Sequence, residues 1–342
     1  MTLRVGINGF GRTGRQAFRA WYQRRQDDFE IVAINGRTPV DMHTHLLRHD
    51  SDYGAFPAEV VNGDDSFTVN NNGNSHTVKV FEEEQPDDID WSSLDIDLVI
   101  DSTGAFRDRA GASRHLGGSV KKVLISAPAK DEDWTVIMGV NDEQYDPAAH
   151  NIVSAGSCTT NCVVPVVKVL HDNFGIDRGF MTTIHAYTRD QNLVDSKHKD
   201  LRRARAAGLS IIPTSTGAAA AVGGVIPELQ GKFDGIAYRV PTPVVSVVDL
   251  VTDLSQSASE GEINEAFLSA ADGPMKGYLV YEREELVSSD FKENPASSIF
   301  DAPSTMVLDG GMAKTMSWYD NEWGYSCRLT DVIAMIAERG VD

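Results

Sequence analysis

The run Leu3-Arg4-Val5-Gly6-Ile7-Asn8-Gly9-Phe10-Gly11-Arg12-Thr13-Gly14 decides the fold. Residues 3–8 are predicted to form a strand and Arg15–Arg24 a helix. Between them lies a G-x-G-x-x-G turn. Its glycines permit a tight bend, close approach of backbone to a pyrophosphate, and close helix–strand packing. The helix start presents free N–H groups to the anion. Gly9, Gly11, Arg12, Thr13 and Gly14 are therefore expected to bind a dinucleotide.

Working outward, further β-branched runs recur at Glu30–Asn35, Asp97–Ser102, Val123–Ala127 and Thr135–Val140, separated by helix-length segments. Such spacing predicts buried parallel strands in a Rossmann-type doubly wound sheet over residues 1–157. The stretch 70–74 (NNNGN) is expected to turn a small hairpin insertion. From Cys158 onward the strand candidates become long and alternating: 180–187, 236–250, 277–281 and 306–319, the last broken at Asp309-Gly310. A second, α+β domain over 158–321 is expected, with a mostly antiparallel sheet covered by helices on one face. A C-terminal helix completes the first domain over 322–342.

The second strand candidate ends Ile34-Asn35-Gly36-Arg37-Thr38. An NAD site wants Asp or Glu there, on the adenosine ribose hydroxyls. With no carboxylate, nothing repels a 2′-phosphate, and Arg37 offers it a fork of donors. Gly36 and Arg37 thus point to NADP, with NAD as the alternative. Thr103 and Ser126 complete the expected nucleotide-facing set of this domain.

In the second domain, Cys158 lies between the strand candidate 151–154 and the apolar helical stretch Val163–Leu170. A cysteine at a helix N-terminus is expected to be a low-pKa nucleophile, whereas Cys162, one turn deeper, is expected to be packed and inert. A nucleophile needs a base, and His185 sits on a candidate inner strand. His43, His45, His49 and His198 lie in polar stretches and are expected at the surface.

The chain carries 33 Asp and 17 Glu against 11 Lys and 20 Arg, a net charge of −19. That excess argues against nucleic acid and anionic membranes as partners. A Lys-poor, Asp-rich surface is expected to suit a salty cytoplasm, where self-repulsion is screened. Three cysteines without zinc spacing fit a reducing, cytoplasmic location, and no metal site is expected. No run approaches the roughly 18 apolar residues of a membrane span, and residues 1–10 show no signal-peptide layout.

SCTTNC at 157–162, HAYTRDQ at 185–191, HKDLRRARAA at 198–207, IIPTSTGAA at 211–219, RVPTP at 239–243 and WYDNEWGYS at 318–326 together resemble phosphorylating glyceraldehyde-3-phosphate dehydrogenases, nearly end to end. The resemblance implies that Cys158 attacks the aldehyde of glyceraldehyde 3-phosphate, His185 activates the thiol, and Asn321 orients the nicotinamide. Inorganic phosphate then cleaves the thioester to give 1,3-bisphosphoglycerate. It gives the substrate phosphate to Thr188, Asp190 and Arg239, with Asp190 orienting the arginine. It gives the attacking phosphate to Ser157, Thr159, Thr216, Gly217 and Arg203. A homotetramer is also implied, with the segment around Ser196 and Lys197 reaching a neighbouring subunit's cofactor. NAD-specific members carry an apolar residue and a proline at those two positions, so the pair again points to NADP. The chain departs from the family pattern at Thr13, Ala155-Gly156, Arg189 and Ala220 without losing a catalytic group. An erythrose-4-phosphate dehydrogenase, or a binding protein on a retired dehydrogenase fold, are the rival readings.

Overall fold

A computed structural model describes residues 2–71 and 73–342; the expected turn at 70–74 includes Asn72, outside the described residues. The chain divides into two compact units. One comprises 1–136, 144–156 and 326–342, the other 137–143 and 157–325.

In the first unit, strand β1 (Leu3–Asn8) leads through the glycine turn into helix α1 (Arg12–Arg24). Then follow β2 (Phe29–Asn35), α2 (Val40–Arg48), β3 (Glu59–Asn62), β4 (Ser66–Asn71), β5 (Asn74–Phe81), β6 (Leu98–Asp101), β7 (Lys122–Ile125), β8 (Trp134–Thr135) and β9 (Ile152–Ser154). They order as β8-β9-β7-β6-β1-β2-β5-β4-β3. The pairs from β8 to β5 are parallel; β4 and β3 add an antiparallel edge. Burial explains the continuous apolar runs, since Leu98, Val99, Ile100, Val123 and Leu124 are fully covered. Thr135–Val140 is not one strand. Pairing stops at Thr135, and the Asn141 side chain accepts a hydrogen bond from the Ile137 N–H, folding the segment into a turn. Ile137 packs into the other unit's core, so the boundary lies earlier than the expected 157 for this short stretch.

The second unit begins with helix α3 (Cys158–Phe174), capped by Ser157 and ended by Gly175 at φ 66°. Its sheet contains β10 (Ile176–Ala186), β11 (Ile212–Ser215), β12 (Phe233–Val240), β13 (Ser246–Leu254), β14 (Leu279–Glu282), β15 (Ser298–Asp301), β16 (Met306–Leu308) and β17 (Met312–Tyr319). The order is β11-β12-β10-β13-β17-β15-β14, with β16 on β17. Pairs β10–β12 and β14–β15 are parallel and the rest antiparallel, a mixed sheet. Helices α3, α4 (Ala218–Val225) and α5 (Glu260–Asp272) bring Val163, Val167, Val222, Ile263 and Phe267 into one core with strand residues Met181, Leu250 and Phe300. The stretch 236–250, expected as one strand, is two. Pro241 and Pro243 remove donors between them, and Val245 turns at φ 70°. Helix α6 (Trp323–Arg339) closes the chain. It lies within the expected 322–342, and its first three residues belong to the second unit.

Candidate active site

Parallel packing puts the carboxyl ends of β8, β9, β7, β6, β1, β2 and β5 on the same edge of the first sheet. The expected nucleotide residues follow those ends: Gly9–Gly14 after β1, Gly36 and Arg37 after β2, Thr103 after β6, Ser126 after β7. This is where doubly wound sheets take ligands. Gly9 has φ 92°, and a Cβ on it would lie 2.8 Å from the Thr103 backbone nitrogen. A Cβ on Gly14 would meet the Gly9 carbonyl oxygen at 2.3 Å. Gly11 caps α1 without a side chain, so nothing of its own covers the first-turn N–H groups. The turn therefore fits a pyrophosphate. Arg12 is already held by Asp50 and Asp52, the latter at 3.0 Å. The Thr103 hydroxyl donates to Asp101 at 2.7 Å, and the Ser126 N–H donates to the Asp101 carbonyl. Arg37 is 71% exposed and pairs with Glu84 at 2.9 Å.

The second unit assembles the reactive groups. Cys158 is the first residue of α3, as expected. Its Sγ lies 3.4 Å from His185 Nε2. His185 ends β10 and is 3% exposed. Its register partner on the parallel strand β12 is Arg239. The His185 Nδ1 lies 2.7 Å from the Ala186 carbonyl, and donating there leaves the Nε2 lone pair for the thiol. Arg239 Nη1 donates to the same carbonyl at 3.0 Å, which brings it 2.8 Å from Nδ1. Tyr319 stands edge-on to the imidazole at 5.9 Å.

The protonation pattern corrects the expected low-pKa thiol. Burial pushes the Cys158 thiol above its ordinary value, outweighing the nearby Arg239 charge and the hydrogen bonds from Thr159. The cysteine keeps some exposure, which tempers that rise. Burial, followed by the Arg239 charge, pushes His185 down to about 3. Both groups are neutral near pH 7, so the pair is a thiol beside a free base rather than a preformed ion pair. Cys162 is buried and its thiol is pushed far up by desolvation, as suits an inert residue.

The residues expected to hold the two phosphates fall into two clusters. Arg239 Nη1 also reaches Thr188 Oγ1 at 3.4 Å, while the buried Arg239 Nε has no partner. The Gln191 side chain accepts from the Thr188 N–H, and its buried amide nitrogen is likewise unpartnered. Buried donors left open in this way suit an anion. Asp190 does not orient Arg239. Its carboxylate is on Arg203, with His198 3.5 Å away. Arg203 also donates to Thr214 at 2.8 Å and is 3.7 Å from Asp200, so the loop carboxylates sort to the nearer guanidinium. Gly217 caps α4, and the Thr216 hydroxyl accepts from the Ala218 N–H. The Ser157 hydroxyl accepts from the Thr160 N–H as the cap of α3. Thr159 is 5% exposed, and its hydroxyl bonds that of Tyr319 at 2.8 Å. Asn321 is 6% exposed, and its oxygen accepts from the Ser246 hydroxyl at 3.0 Å. Ser196 and Lys197 lie exposed on the 191–200 loop.

Residue-pattern reading missed Gln191, Thr214, Ser246 and Tyr319 as partners of these groups. Three of them lie inside the quoted motifs, so the signal was present; Ser246 carries none.

Two family models match the chain. The glyceraldehyde 3-phosphate dehydrogenase NAD binding domain covers residues 3–109, and the corresponding C-terminal domain covers 157–321. The chain belongs to the glyceraldehyde-3-phosphate dehydrogenase family. It is 53% identical over 342 residues to the glyceraldehyde-3-phosphate dehydrogenase of Geobacillus stearothermophilus, covering all of both chains. Identity to glyceraldehyde-3-phosphate dehydrogenase 2 of Streptomyces avermitilis is 52%, over 99% of this chain and all of that one. To glyceraldehyde-3-phosphate dehydrogenase 2 of a Nostoc species it is 48%, with the same coverage. The chain is thus an oxidoreductase of that family with a nicotinamide-binding Rossmann domain. No helix among the described residues is long and apolar enough to cross a membrane.

Proposed function

We propose that the protein oxidises glyceraldehyde 3-phosphate to 1,3-bisphosphoglycerate, and catalyses the reverse, with inorganic phosphate as co-substrate and NADP preferred over NAD. The observation that carries the chemistry is the 3.4 Å approach of Cys158 Sγ to His185 Nε2.

His185 takes the thiol proton as Sγ bonds to the aldehyde carbon and hands it to the carbonyl oxygen, which becomes the hydroxyl of a thiohemiacetal. His185, neutral again, takes the hydroxyl proton as the carbon is oxidised to a thioester. When bound, the nicotinamide accepts the hydride that leaves that carbon. A phosphate oxygen then bonds to the acyl carbon, and the carbon–sulfur bond breaks to return the Cys158 thiolate, which is reprotonated. Arg239 and Thr188, with the open amide of Gln191, hold the substrate phosphate. Arg203, Thr216 and the Gly217 N–H hold the attacking one, with Asp190 fixing Arg203 in place. The Gly9–Gly14 turn holds the pyrophosphate, and Asn321, fixed by Ser246, is assigned to the nicotinamide amide.

NADP preference rests on Gly36 and Arg37, and on Lys197 reaching from a neighbouring subunit. The homotetramer this requires is supported by side chains on and beside that loop which a lone chain leaves bare. Leu193 is 86% exposed, Leu201 83% and Leu209 88%. A salt-adapted, cytoplasmic enzyme is the matching reading of the −19 charge. The test is an assay at 340 nm with and without phosphate, NADP and NAD in parallel, at low and high KCl. Phosphate-dependent turnover with the higher kcat/KM for NADP is expected. A higher value for NAD would overturn the cofactor reading, and turnover independent of phosphate would overturn the reaction.

A further inference from the structure

His43 was expected at the surface, yet it is 5% exposed and lies directly under the turn that reads the adenosine end. It belongs to the first turn of α2. Its ring stands edge-on to Phe10 of the glycine turn at 5.7 Å, and Phe10 in turn packs against Phe18 at 5.9 Å. Its nitrogens lie 3.0 and 3.2 Å from the Thr38 hydroxyl. Above the ring is Gly36, pinned by its N–H donating to the Phe81 carbonyl at 3.0 Å. A Cβ on Gly36 would lie 2.6 Å from the His43 Cε1 and 2.7 Å from its Nε2.

These distances make position 36 unusual. Gly36 is absent from the glycines with left-handed φ, so its backbone would accept any residue. The imidazole alone excludes a side chain, and that ring is held on three sides. We propose that His43 is a cofactor-selectivity residue, which bars a carboxylate from position 36 by filling the space beneath it and fixes Thr38 beside Arg37 for a 2′-phosphate. This inference rests on the NADP reading above. Burial holds the imidazole below its ordinary pKa, with Arg15 adding to that effect and Glu82 and the Gly36 backbone opposing it. The ring is therefore neutral near pH 7. It acts by volume and by its hydrogen bond, leaving the positive charge to Arg37.

The test titrates the purified enzyme, free of cofactor, with NADP and with NAD by calorimetry, and records melting temperatures. Wild type, Gly36→Asp, His43→Ala and the double variant are compared. Wild type is expected to bind NADP at least tenfold more tightly. His43→Ala should weaken NADP severalfold and leave NAD unchanged. Gly36→Asp should lower the melting temperature and weaken both cofactors, because the carboxylate has no room. Adding His43→Ala should restore the melting temperature and invert the preference to NAD. Gly36→Asp binding NAD well on its own, or a double variant equal to the sum of the singles, would overturn the role of His43. A wild type that prefers NAD would overturn the NADP reading instead, and the melting-temperature coupling would still judge the steric pair. Should Gly36→Asp fail to fold, Gly36→Ala with and without His43→Ala makes the same comparison. There, recovery of NADP affinity in the double variant supports the pair, and no recovery overturns it.

Discussion

The adenosine end and the chemical end of this enzyme are built in opposite ways. At the first, the charged group proposed to meet the ligand is Arg37, which is 71% exposed and paired with Glu84, itself 69% exposed. At the second, His185 is 3% exposed, set by sheet register beside Arg239 and held by a backbone carbonyl. An exposed pair contributes about 0–1 kcal/mol and yields to salt or to a better partner. A buried group keeps its protonation state and position whatever the solvent does. Selectivity is therefore adjustable here and chemistry is not, and substitutions should have effects graded in that order.

The largest effect is expected at Cys158. Cys158→Ser replaces the thiol by a far weaker nucleophile in an unchanged fold, and should lower kcat by more than about a thousandfold. Steady-state turnover measured beside a circular dichroism spectrum checks this. Residual phosphate-dependent turnover near wild type would place the nucleophile elsewhere.

His185→Asn removes the base while keeping a polar side chain of similar reach, and should cost roughly 10²–10⁴-fold in kcat. The pH dependence of Cys158 alkylation separates this role from a packing role. With neutral partners the wild-type thiol should label slowly at pH 7 and faster as the pH rises, without the low-pH plateau of an ion pair. Such a plateau would show that the thiolate–imidazolium pair exists before substrate binds.

The same burial makes a stability prediction. The folded His185 pKa, about 3, lies below the ordinary 6.5 of an unfolded chain. Below pH 6.5 the unfolded chain binds a proton that the native state refuses, so stability falls as pH drops from 6.5 toward 3. The limiting slope is about 1.4 kcal/mol per pH unit. The denaturant midpoint of wild type should fall more between pH 8 and pH 5 than that of His185→Asn. Parallel pH profiles would show that another group carries the acid sensitivity.

What the sequence made legible follows the same division. The Gly9–Gly14 turn, the parallel strands other than Thr135–Val140 and the Cys158 helix start are local patterns, written in residues a few positions apart, and they stand where the pattern put them. Features set by packing across long sequence separations were not legible. The Cys158 thiol is pushed up by burial in the folded protein, which no spacing around residue 158 reveals. Asp190 goes to Arg203 rather than Arg239 because the 190–205 loop folds back on itself. His43 reads as a polar surface residue until α2 docks it under Gly36. Thr159, a hydroxyl in an anion-binding motif, faces Tyr319, 160 residues away.

The smallest expected effect tests the adjustable end most directly. On the proposed NADP reading, Glu84 competes with a 2′-phosphate for Arg37, so removing its charge frees the guanidinium and removes a repulsive neighbour. Glu84→Gln should tighten NADP binding about two- to threefold in dilute buffer, the scale of an exposed ion pair. NAD, which has no 2′-phosphate to meet Arg37, should bind as before. The gain should shrink at molar KCl, where the screening length falls to about 3 Å. Calorimetric titration of both cofactors at the two salt concentrations reads all three effects. Equal tightening of NAD and NADP would mean that Glu84 acts on the cofactor's total charge and that Arg37 is not the 2′-phosphate ligand. An undiminished gain at high salt would mean that the Arg37–Glu84 pair is more sheltered in the assembled enzyme than in the single chain.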